Sequence, residues 1–131
     1  MQKQATLVLT IGDTSFIIAL ADTEAARELS SRLPLRLEMA ELNGNEKYAC
    51  LGSPLSAKAE NVRRIEAGDV MLWGSDCLVV FYKSFDTPYS YTRLGRIFDA
   101  SALADAFGTG NVSVSLKLCN AMDSKSETSK R

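Results

Sequence analysis

Between Phe81 and Ile97 the chain reads FYKSFDTPYSYTRLGRI, which places Tyr82, Tyr89, Tyr91, Arg93 and Arg96 within sixteen positions. Phenol rings offer an apolar face and a polar tip, and guanidinium groups pair with carbonyls and carboxylates. Together they suit recognition of a peptide or small molecule. Tyr89, Tyr91 and Arg93 follow one another at period two and should share a face of an extended segment. Arg93 and Arg96 are three apart and should project from opposite faces. Glu46 and Tyr48 are also two apart, as an acceptor and a donor for a polar ligand. Trp73, the single tryptophan, ends an apolar run and suits either core packing or ligand stacking. The structural alternatives are ion pairs for the arginines, with Glu46 or Asp99 as partner, and a turn anchor and barrel wall for Glu46 and Tyr48.

The reactions open to this set are narrow. The chain has no histidine, so it holds no Ser-His-Asp or Cys-His site and lacks the commonest general base and metal ligand. Cys50, Cys77 and Cys119 are spaced neither as a zinc set nor as a redox pair. They read as three small thiols in a reducing cytoplasm. No cofactor or metal is implied. Asn43-Gly44 and Gly108-Thr109-Gly110 are turn residues without a phosphate-loop pattern. Fifteen basic against sixteen acidic residues leave a formal charge of −1, too small a field to draw nucleic acid or an anionic membrane.

These residues need a frame. With 131 residues, 46% apolar, the chain suits one globular domain with its own core. No apolar run is long enough to cross a membrane as a helix. The N-terminal apolar stretch is broken at Gly12-Asp13-Thr14 and alternates, so it reads as strand and not as a signal peptide. Thr6–Ile11 and Thr14–Leu20 form a hairpin around Gly12-Asp13. A helix follows, capped by Asp22 or Thr23, with Ala25, Ala26 and Leu29 on one face. Leu33 to Met39 alternates as a strand, Asn43-Gly44 turns the chain, and Glu46–Leu51 continues it. Gly52–Ala67 reads as a long irregular connection. Strands then follow at Val70–Trp73, Cys77–Tyr82 and Tyr91–Ile97, a short helix capped by Asp99 at Ala102–Phe107, and a last strand at Asn111–Leu118. Residues 120–131 are almost without apolar side chains and read as a disordered tail behind a domain of residues 1–119. About eight short strands and two short helices imply a mostly β protein, a closed antiparallel barrel whose closure leaves few free edges.

The order of elements, with NGNEKY at Asn43–Tyr48, AGDVMLW at Ala67–Trp73, FYKSF at Phe81–Phe85, YSYTRLGRI at Tyr89–Ile97 and GTGNVSVSL at Gly108–Leu116, resembles the cyclophilin-like barrel proteins of bacteria and archaea. That family is distinct from the true cyclophilins. LGRI at Leu94–Ile97 and NVSVSLKLC at Asn111–Cys119 are also similar to the closing elements of a cyclophilin. The resemblance implies a cyclophilin-like β-barrel and leaves the activity open. Cyclophilins carry a Phe-His-Arg run that this chain lacks, and Trp73-Gly74-Ser75-Asp76 stands where they have Gln-Gly-Gly-Asp. No catalytic residue is therefore assigned. The leading expectation is a cytoplasmic binding domain with a concave site for a peptide segment or small molecule, built from Glu46, Tyr48, Trp73, Tyr82, Tyr89, Tyr91, Arg93 and Arg96. One alternative is a weak or altered peptidyl-prolyl isomerase, a reaction that needs no nucleophile or general base. The other is a structural or self-association module, the oligomeric state being open.

Overall fold

The hairpin at Gly12-Asp13 sets the register of the barrel. Gly12 adopts φ +59°, a conformation that costs glycine nothing and other residues a side-chain clash. It joins β1 (Thr6–Ile11) to β2 (Thr14–Leu20), with Ile11 opposite Thr14 and Leu9 opposite Phe16. The computed structural model describes residues 5–119, and the expected tail at 120–131 lies outside the described residues.

Thr23 then caps α1 (Glu24–Ser31), its hydroxyl accepting from the Ala26 N–H at 3.1 Å. Six further strands complete the wall: β3 (Leu35–Leu42), β4 (Glu46–Cys50), β7 (Asp69–Trp73), β8 (Cys77–Phe81), β10 (Ser90–Ile97) and β11 (Val112–Cys119). Three two-residue strands, β5 (Glu60–Asn61), β6 (Arg64–Ile65) and β9 (Phe85–Asp86), lie in the connections. Neighbours run β2-β1-β11-β3-β4-β8-β7-β10, and β10 pairs back to β2. The result is a closed antiparallel barrel of eight strands.

Period two sorts the side chains. Leu7, Leu9, Leu37, Met39, Val70, Leu72, Leu78, Val80, Val114 and Leu116 fill the interior with Leu94 and Ile97. Both helices add to that core, through Ala25, Ala26 and Leu29 of α1 and Leu103 and Phe107 of α2 (Leu103–Phe107). Each large side chain so buried contributes about 1.5–3 kcal/mol. The alternate positions of β7, β8 and β10 face outward, and several of them are buried too. Met71, Val79, Phe81 and Tyr91 form a second core with Ile65. Its cover is the Gly52–Ala67 connection. There β6 pairs with β9, Ile65 opposite Phe85. The connection is thus less irregular than its sequence suggests, its short strands being set by tertiary contacts.

Three local expectations are corrected. Asp99 does not cap α2; it accepts from the Ser101 N–H and hydroxyl in a turn of its own, and Ala102 precedes the helix without a side-chain cap. Arg93 and Arg96 do not project oppositely, because β10 bulges between them: Arg93 faces Met71 of β7 while Gly95 faces Val70. The inserted residue, Leu94, turns into the barrel core. The cysteines are not three free thiols. Cys50 and Cys77 are direct partners across β4 and β8 and form a disulfide, while Cys119 is free. Register made that pair, and register is not visible in cysteine spacing. A cytoplasmic setting loses the support that three free thiols had lent it. No helix among the described residues is long and apolar enough to cross a membrane.

Candidate functional site

On β4, Glu46 and Tyr48 face outward and Lys47 and Ala49 face inward, as period two requires. Glu46 lies opposite Phe81, and Tyr48 opposite Val79. Both therefore stand beside the second core. A cavity of about 550 Å³ opens there. Glu46 and Tyr48 form one side, Trp73, Cys77 and Val79 the floor strands, Phe85, Tyr89 and Tyr91 the other side, and Leu42, Asn43 and Asn45 of the β3–β4 turn its end.

The aromatic side is itself packed. Trp73 meets Tyr89 edge-on, ring centroids 5.6 Å apart, and Tyr91 at 5.5 Å. Phe81 lies 5.6 Å from Tyr91 and 5.7 Å from Phe85. Tyr91 is buried, whereas Trp73 and Tyr89 keep 47% and 57% of their surface in solvent. Of the two roles open to Trp73 in the sequence, core packing does not apply: it ends its strand at the cavity, half in water.

Glu46 is the charged group of this cavity. It is only 8% exposed, and its carboxyl makes no hydrogen bond or ion pair with any described residue. Burial, and secondarily the negative charge of Glu41, push it up to about 7. Near neutrality it is present both as an acid, able to donate, and as a carboxylate, able to accept. Burial and the Glu46 charge also raise the Tyr91 hydroxyl above its ordinary value.

Three residues expected at the site lie elsewhere. Tyr82 falls just beyond β8 and turns toward α2, its ring 5.9 Å from Phe107 and its hydroxyl donating to Glu41 at 2.7 Å. Burial and that bond raise the Tyr82 hydroxyl to about 12. Arg93 pairs with Glu60 at 3.3 Å, and Arg96 with Asp69 at 2.9 Å. Both arginines line a separate, shallower depression with Asp69 and Ala19–Ala21. Their partners are thus neither Glu46 nor Asp99.

Lys47 has no counterpart among the sequence-derived candidates. Its side chain is wholly buried, and Nζ donates to Glu41 at 2.9 Å and to the carbonyls of Gly108 and Gly110 at 2.9 and 2.6 Å. The rings of Tyr82 and Phe107 lie within 5.9 Å. At Glu41, burial works to raise the carboxyl and is outweighed by the bonds from Tyr82, Lys47 and the Gly44 N–H, which hold it low. The period of β4 was the available signal, since a strand that turns Glu46 and Tyr48 outward must turn Lys47 inward. These donors and acceptors are mutually satisfied, so this cluster braces the barrel end.

Among the described residues, one group has the ligand spacing for a metal: Cys50, Asp76 and Cys77. The two sulfurs are joined in the disulfide and so are not thiolate ligands.

An eight-stranded closed barrel with an aromatic cavity on its outer face defines a class of small β-barrel domains, and the comparisons narrow it. Residues 9–117 match the Cyclophilin-like family, and the chain belongs to that family. Among solved structures it is similar to the hypothetical protein AF2241 from Archaeoglobus fulgidus, determined in solution. The TM-score is 0.55 and the identity 18%, with 88% of this chain and 95% of that one covered. At that identity the likeness speaks for the fold. No curated protein matches the sequence.

Proposed function

We propose that this domain binds a small molecule or peptide segment in the Glu46 cavity and acts as a binding module. The observation that carries the reading is Glu46 itself, a residue 8% exposed whose carboxyl has no protein partner and opens only into the cavity, set among Tyr48, Trp73, Tyr89 and Tyr91. Leaving such a group unpaired costs stability, and sites that do so are commonly functional. The cavity volume of about 550 Å³ falls within the usual range for ligand pockets, roughly 300–1,000 Å³. The isomerase alternative has weaker support, because neither Arg93 nor Arg96 is among the residues that line the cavity.

Trp73 makes the test direct. It is the single tryptophan and it lines the cavity, so its emission reports occupancy of this site alone. A fragment and peptide screen read by Trp73 emission should yield ligands that Tyr89→Ala and Tyr48→Ala weaken. Ligands that bind without moving Trp73 emission, and that these variants leave unaffected, would place the site elsewhere. A protease-coupled assay on proline peptides decides the isomerase alternative.

A further inference from the structure

We infer that the Glu46 cavity takes the quaternary ammonium head of a small molecule, held between the Glu46 carboxylate and the faces of Trp73, Tyr89 and Tyr91. The inference rests on the reading of this cavity as a ligand site and adds the chemical class of the ligand.

Three features of the wall lead to it. First, charge: no lysine or arginine lines the cavity. Lys47, adjacent on β4, turns to the other side and is engaged by Glu41 and two carbonyls. The groups that bear on Glu46 are Glu41 of β3 and the hydroxyls of Tyr82 and Tyr91, none of them cationic. The cavity wall supplies no positive charge to the ionised carboxylate, so a cation that pairs with it comes from outside the domain. Second, the rings: aromatic faces carry negative potential, which attracts cations and repels anions. Trp73 and Tyr89 are half in solvent beside buried Tyr91, so they present ring surface to an occupant. Third, solvation: a primary ammonium is strongly hydrated and must trade three hydrogen bonds to water for acceptors, here the Glu46 carboxylate, the amides of Asn43 and Asn45 and the hydroxyls of Tyr48, Tyr89 and Tyr91, set in a mostly apolar wall. A quaternary head needs none, and its methyl groups pack against rings. The elevated proton affinity of Glu46 is consistent with a carboxylate that awaits such a charge.

The test compares choline with 3,3-dimethylbutan-1-ol, its neutral carbon isostere, by calorimetry and Trp73 emission at pH 8. Choline should bind at least about tenfold more tightly than the isostere. Glu46→Gln, checked for folding by its melt, should reduce that preference to the part the rings supply. In the unsubstituted protein, choline binding should weaken about tenfold from pH 8 to pH 6 as Glu46 takes up its proton. The pH series stands on its own if the variant does not fold. Equal binding of the two compounds, or choline binding indifferent to both pH and Glu46→Gln, overturns the ammonium assignment and leaves the cavity as a ligand site. No response to millimolar choline also overturns it, and the fragment screen then decides the cavity separately.

Discussion

Arg93 and Arg96 leave β10 on the same side, although they are three positions apart. The bulge at Leu94 supplies the missing half-period. They nevertheless do different work. Arg93 pairs with Glu60, both side chains 41% or more exposed. Arg96 sends Nε and a terminal nitrogen to one oxygen of Asp69, whose side chain is 3% exposed. Arg93→Ala should therefore cost about 0–1 kcal/mol, as exposed pairs do. Arg96→Ala should cost about 1–3 kcal/mol, because it strips a charged partner from a buried carboxylate. Thermal melts of the two variants compare them directly, and equal losses would contradict the assignment.

The pH dependence of Glu46 has a definite sign. In the folded domain its carboxyl keeps its proton up to about pH 7, against an ordinary value of 4.5. Between those values the folded state binds more protons than the unfolded chain, so raising the pH through this window weakens the fold. Below the window the penalty is absent. Glu46→Gln should remove the decline and gain about 1–3 kcal/mol over the parent at pH 8, discounting for solvent at the cavity. Urea midpoints at pH 5 and pH 8 measure it. Parallel profiles for the two proteins would show that Glu46 titrates normally.

Lys47→Met keeps length and apolar bulk while deleting the charge. It leaves the Gly108 and Gly110 carbonyls without the ammonium and takes from the Glu41 carboxylate its cation, leaving it only the Tyr82 hydroxyl and the Gly44 N–H. The expected loss is about 3–5 kcal/mol, read from urea denaturation. A loss below about 1 kcal/mol would mean that water replaces the ammonium freely.

Gly95→Ala tests barrel closure. Gly95 lies opposite Leu20 where β10 returns to β2. An added methyl would stand 2.6 Å from the Ala19 carbonyl oxygen and 2.9 Å from Ile18 Cγ2. Backbone cannot yield there without parting the two strands. A cost of about 1–3 kcal/mol is expected, with faster amide hydrogen exchange in β2 than elsewhere in the sheet.

Most of the frame was legible because its signals are local. The Gly12-Asp13 hairpin, the Thr23 cap and the alternation of β3 and β11 each lie within a few residues. Period two also paired Glu46 with Tyr48 correctly. What escaped depends on partners distant in sequence. Nothing near Leu94 announces a bulge; it is fixed by β7 and β2 together. Nothing near Cys50 announces Cys77, since the disulfide follows from the register of β4 and β8. Tyr82 was assigned to the cavity by its neighbours in sequence, but it comes after β8 ends and packs toward α2. The cavity itself arises because the β4-β8-β7-β10 order brings Glu46, Trp73 and Tyr91 to one outer face.

The disulfide makes the span from Cys50 to Cys77 a covalent ring, with 27 positions of sequence between its ends. Inside that ring run residues 57–59, exposed and outside any strand. A protease that cuts there severs the chain without releasing a fragment. The nicked protein should migrate as one band on a denaturing gel until a thiol is added, and then as two.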